Sequence, residues 1–137
     1  MRYLIFSLLL AGAVPGMAQT PAAGIDKDIR LQTPAELTTT AAKLELALIT
    51  QPNNVEFHIK LGFTYTRLGK ADDAQRAFEN AVRLDPKKAI AHYMLGLIYE
   101  KKNLKDKAIA AWRACLDTAV DPHLRETAIK HLNTLTH

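Results

Sequence analysis

Residues 55–88 read VEFHIKLGFTYTRLGKADDAQRAFENAVRLDPKK, and residues 89–122 read AIAHYMLGLIYEKKNLKDKAIAAWRACLDTAVDP. Laid one over the other, they match at Leu61 and Leu95, Gly62 and Gly96, Tyr65 and Tyr99, and Ala74 and Ala108. Phe78 then meets Trp112, and Ala81 meets Cys115, every pair 34 residues apart. A fixed period of this length marks stacked helix–turn–helix units. One such unit cannot bury its own apolar face, so neighbours must cover it.

Turn chemistry supports the same division. Asn53 or Asn54 is placed to cap a helix whose apolar residues Phe57, Leu61 and Tyr65 recur every four, running to about Leu68. Gly69 follows, where a left-handed residue is wanted, and Asn103 occupies the equivalent place. Second helices are expected over about Ala71–Leu84 and Lys105–Ala119, with Asp72 and Asp106 at their positive ends. Upstream, Thr33-Pro34-Ala35-Glu36 spells a capping box with proline at the first helical position, for a helix to about Thr50. A last helix is expected over 122–135, with Leu124, Ala128, Leu132 and Leu135 inward and Arg125, Glu126 and Lys130 outward.

These residues resemble the tetratricopeptide repeat (TPR). Counted from Val55 the pattern positions are His58, Leu61, Gly62, Tyr65, Ala74, Phe78, Ala81 and Pro86. Counted from Ala89 they are His92, Leu95, Gly96, Tyr99, Ala108, Trp112, Cys115 and Val120. The resemblance implies an all-α, right-handed α-solenoid of helical hairpins: two full repeats (about 55–88 and 89–122), an N-terminal half-repeat helix and a C-terminal capping helix (122–135). Gly62 and Gly96 would let paired helices approach closely, with Ala74 and Ala108 as small partners and Phe78 and Trp112 filling the space beyond. Two departures stand out. His58 and His92 replace a larger residue, and the second repeat's proline arrives late as Pro122, which predicts a slightly longer helix before it. In the last helix Lys130 and Asn133 stand where a small residue and tyrosine are expected, so it reads as a cap.

The resemblance also locates a binding face. First helices line the concave side in this family. The matching positions centre on Ile59, Phe63, Tyr93 and Leu97, with Arg67, Glu100 and Lys101 at the rim. An apolar centre in a charged rim suits an apolar peptide or protein segment. The lysines and asparagines with which some members grip a peptide carboxylate are missing there. Residues 19–32 read as a flexible arm, and its Ile25, Ile29 and Leu31 are apolar enough to occupy the groove.

The N-terminus has the pattern of a secretory signal: Arg2, an apolar run from Leu4 to Val14, Pro15, then small residues before Gln19. Residues 1–18 are expected to be removed, leaving an exported chain, periplasmic or secreted, with no stable membrane span. With 18 basic and 14 acidic residues interspersed, no basic run points to nucleic acid. The single cysteine, Cys115, allows no internal disulfide and reads as a small core residue. No nucleophile elbow, phosphate loop or metal-ligand doublet is present. His58 and His92 read as packing residues, His123 and His131 as solvated ones. No enzyme activity, cofactor or metal is expected. The leading reading is a protein-interaction module; its rival is a self-associating structural subunit of a cell-envelope assembly.

Overall fold

A computed structural model describes residues 27–137. The expected signal segment and the first part of the arm, Ile25 included, lie outside the described residues. A short 3-10 turn, Ile29–Leu31, precedes six helices: α1 (Pro34–Thr50), α2 (Val55–Arg67), α3 (Ala71–Leu84), α4 (Ala89–Lys101), α5 (Lys105–Thr118) and α6 (Pro122–Thr136). Each helix packs on the next in sequence, and α4 also touches α6. This is an all-α solenoid of helical hairpins, with α2, α4 and α6 in one layer and α1, α3 and α5 in the other.

Local chemistry sets the boundaries. Thr33 accepts from the backbone N–H of Glu36, while the Glu36 carboxylate accepts from the N–H of Thr33. Hydrogen bonds to this carboxylate, first from Lys27 and then from Thr33, hold its pKa at about 2. Asn54, the second of the two candidates, caps α2 by accepting from Phe57 N–H. Gly69 has φ 72° and Asn103 has φ 58°, so both turns use the left-handed region.

The core is one strip running the length of the stack. Leu44, Ala47, Phe78, Ala81, Ala108, Trp112 and Cys115 are completely buried. Burial pushes the Cys115 thiol pKa up, which suits an inert core residue.

Three expectations need correction. α5 ends at Thr118, one period after Leu84, so the two extra residues before Pro122 lengthen the turn and not the helix. The prolines therefore set the phase of α6. Counting from Pro122 as from Pro86, Leu132 and Leu135 stand where Gly96 and Tyr99 stand, and Lys130 and Asn133 simply face solvent. Third, what meets Gly62 and Gly96 is the aromatic ring of the same repeat, not the alanine. A Cβ on Gly62 would lie 2.7 Å from Phe78 ring carbons, and one on Gly96 would lie 2.6 Å from Trp112 Cε2.

Candidate functional site

Three kinds of contact appear in both repeats and hold the α2/α4 layer in place; the histidine and tyrosine contacts keep the 34-residue period, whereas the ring contacts come from Phe63 and Tyr93, 30 residues apart. At the crossings, Phe63 meets Phe78 edge-on at 5.3 Å between centroids, and Tyr93 meets Trp112 edge-on at 5.4 Å. At the helix starts, His58 Nε2–H donates to Pro52 O at 2.8 Å, and His92 Nε2–H donates to Pro86 O at 2.7 Å. A carbonyl can only accept, so each ring carries its proton on Nε2. This explains both histidines: each ties the first turn of a helix to the proline that ended the previous one. Between repeats, the Tyr65 hydroxyl donates to Glu45, and that of Tyr99 donates to Glu79 at 2.7 Å. Burial first, and then the hydrogen-bonded carboxylate, push both phenol pKa values well above the usual tyrosine range.

Glu45 and Glu79 escaped the sequence reading. The signal was present, because each precedes its tyrosine by 20 residues in both repeats. Only the packing of α1 on α2 and of α3 on α4 shows that this offset brings the pair together.

The seven residues expected to form the binding face divide into two groups. Phe63, Tyr93 and Leu97 are half-buried and packed against the core cluster, while Arg67 and Lys101 are exposed. These five retain surface for a partner. Ile59 is 7% exposed and belongs to the core cluster, so it supports the face from beneath.

Glu100 is engaged by the cap. Its Oε2 accepts from Trp112 Nε1–H at 3.2 Å and lies 2.7 Å from His131 Nδ1. His131 stacks on Trp112, with centroids 4.3 Å apart and planes 18° from parallel. The reading of His131 as a solvated residue is therefore corrected: in the proline phase it falls where Leu61 and Leu95 fall, and it closes the stack over the tryptophan. The charged flank of the face is further trimmed by Glu56, whose carboxylate pairs with Lys88 at 2.5 Å.

The described part of the arm lies against α1. Gln32 Nε2–H donates to Lys27 O at 2.8 Å, and Thr40 donates to Gln32 Oε1 at 2.7 Å. Leu31 is 74% exposed, and half-buried Ile29 does not belong with the hydrophobics packed against the core cluster. The arm does reach the rim electrostatically. Asp28, held at about pKa 2 mainly by hydrogen bonds from Arg30, also feels the positive charge of Arg67.

Hairpins stacked through glycine–aromatic crossings at one period define a TPR-type α-solenoid. Residues 59–119 match the tetratricopeptide repeat family model. Among solved structures, one titled "Crystal structure of MamA" is 28% identical, covers 74% of this chain and 57% of its own, and superposes with a TM-score of 0.66. A second, "Crystal structure of MamA protein", is 27% identical and covers 87% of this chain and 63% of its own, with a TM-score of 0.72. An O-GlcNAc transferase mutant from Thermobaculum terrenum, 24% identical with a TM-score of 0.63, shares the fold over 24% of its length. The chain thus spans about three fifths of the two MamA structures. No curated protein sequence matches it.

Proposed function

We propose that this chain is an exported, non-catalytic interaction module, periplasmic or secreted, that holds an apolar segment of a partner protein on the α2/α4 face. Tetratricopeptide repeats mediate protein–protein contacts, which supports the general class. The observation that carries the specific reading is the half-buried row of Phe63, Tyr93 and Leu97, with exposed Arg67 and Lys101 one turn beyond Phe63 and Leu97 at the C-terminal ends of α2 and α4. Partly exposed apolar surface bordered by charge is the layout of a recognition patch. With two repeats and a cap, the face is smaller than the roughly 800 Å² per partner of a standard interface, so binding is expected to be modest.

Export rests on the N-terminal pattern, and N-terminal sequencing of the protein recovered from culture fractions tests it. A chain recovered outside the cytoplasm and beginning at Gln19 supports the proposal; one retained in the cytoplasm with Met1 intact opposes it.

Alanine substitution is a poor test of the face itself, because Phe63 and Tyr93 also buttress Phe78 and Trp112. A photo-crosslinking residue at Thr66, Leu97 or Lys101 perturbs less. In native extract, one discrete adduct from these positions, and none from exposed Arg83 or Arg113 on the other layer, is the expected result. Adducts formed equally from Arg83 and Arg113 would place recognition elsewhere.

A further inference from the structure

The outward face of α1 differs from those of α3, α5 and α6. At 100° per residue, Ala35, Thr38, Thr39, Ala42, Leu46, Ile49 and Thr50 fall within one stripe opposite the buried Leu37, Leu44 and Ala47. All seven are exposed, Leu46 at 57% and Ile49 at 75%, and none is charged. Glu36, Lys43 and Glu45 stand at the margins. By contrast, the exposed faces of α3, α5 and α6 carry charges such as Arg76 and Arg83, Lys107 and Arg113, and Glu126 and Lys130.

The threonines do not make this stripe polar. Thr38 donates to Pro34 O at 3.0 Å, Thr39 to Ala35 O at 3.1 Å, and Thr50 to Ala47 O at 3.0 Å. Each hydroxyl donor is satisfied by its own helix, so no outside acceptor is required. A 17-residue helix with such a face, in water, has apolar surface to cover.

The order of residues along the stripe identifies what covers it. Small side chains lie at the N-terminal end (Ala35, Thr38) and large ones at the C-terminal end (Leu46, Ile49), with Ala42 midway. Turned end for end about Ala42, five of the seven residues become their own complement: Ile49 falls opposite Ala35, Leu46 opposite Thr38, and Ala42 opposite Ala42, while Thr39 falls opposite Glu45 and Thr50 opposite Pro34 at the margins. Large-against-small matching about a two-fold axis is the requirement for an isologous contact. Head-to-tail stacking is disfavoured, because the other end of the stack presents Arg125, Glu126 and Lys130 on α6. We propose that α1 pairs antiparallel with α1 of a second copy of this chain, with the two-fold axis at Ala42. The pairing leaves the α2/α4 face free, so it goes beyond the proposed function and does not depend on it.

From Ala35 to Ile49 is roughly 21 Å of helix. Two helices in contact over that length bury on the order of 400 Å² per partner, about half of a standard interface. The dimer should therefore be reversible, and sedimentation velocity on the chain with its native N-terminus, from about 5 to 500 µM, should follow it.

Single-cysteine substitutions test the geometry, since buried Cys115 does not compete. Under mild oxidation Ala42→Cys should crosslink with itself. Ala35→Cys and Ile49→Cys should crosslink only when mixed, because a disulfide needs Cα atoms within about 7 Å. Leu46→Glu and, separately, Ala42→Glu should each leave a monomer at all these concentrations with an unchanged melting temperature. A wild-type chain that is monomeric throughout, or a dimer that survives both glutamates, overturns the proposal. So does efficient crosslinking of Ile49→Cys with itself, which would place the axis elsewhere.

Discussion

Gly96→Ala adds one methyl group where the Trp112 ring already stands. Its carbon would lie 2.6 Å from Cε2, 2.7 Å from Cδ2 and 2.9 Å from Cζ2. The ring is poorly placed to withdraw: it is fully buried, stacked on His131, met edge-on by Tyr93 and hydrogen-bonded to Glu100. Relief must come from spreading α4 from α5, which loosens the cap as well. Overpacking of a well-filled core costs about 1–3 kcal/mol, and three atoms in overlap put this case near the upper value. Alanine returns about 1 kcal/mol because glycine is the poorer helix former. The expected net loss is about 2 kcal/mol, read as a lower urea midpoint by circular dichroism. Trp112 is the only tryptophan in the chain, so its emission should shift red in the same variant. In a Trp112→Leu background the collision is gone, and Gly96→Ala should become neutral or stabilising by up to about 1 kcal/mol. If Gly96→Ala in the wild-type background is as stable as the parent with unchanged emission, the claim that a bare backbone is required at this crossing is wrong.

Further outcomes follow from the turns, the cap and the tyrosines. Asn103→Gly should stabilise by roughly 0.5–1 kcal/mol by relieving a left-handed backbone, whereas Gly69→Ala should cost about 1 kcal/mol although nothing lies within 4 Å of its added methyl. Urea denaturation of both decides whether conformation, not space, governs these turns. His131→Ala should cost about 1 kcal/mol through the lost ring stack and change tryptophan emission, while His123→Ala, whose exposed side chain makes no such stack, should do neither. The raised phenol pKa values of Tyr65 and Tyr99 mean that the folded chain keeps protons the unfolded chain releases. Their contribution is complete below the unfolded value of about 10 and fades as pH rises above it. Urea midpoints of the wild type should therefore fall as pH rises above about 10, and Tyr65→Phe with Tyr99→Phe should flatten that fall.

Much of the architecture was readable from residues alone because repetition turns local preferences into a three-dimensional statement. The capping box at Thr33, the left-handed Gly69 and Asn103, and the buried Phe78 and Trp112 each follow from short-range rules, and one period places them in phase. The errors over the end of α5 and the phase of α6 came where the period slipped, whereas the partner of Gly62 and Gly96 was misjudged within an unbroken period. Two extra residues before Pro122 rotate α6 by about 200° relative to a strict 34-residue count, and that rotation moved His131 from solvent onto Trp112.

The candidate face was legible in outline and less so in detail. A helix position shows which layer a side chain belongs to, so Phe63, Tyr93 and Leu97 could be placed. It does not show what else has reached that side chain from another element. Ile59 proved to be covered, and Glu100 was claimed by two residues 12 and 31 positions away. The spacing, the helix boundaries and the small–aromatic alternation were determined by the sequence itself, because they depend on backbone preference and side-chain volume at neighbouring turns. Tertiary structure alone decided that Glu45 and Glu79 meet the tyrosines, that the histidines hold proline carbonyls, and that α1 turns an uncharged stripe outward. Those outcomes depend on which surfaces the packed neighbours leave uncovered, and no single helix carries that information.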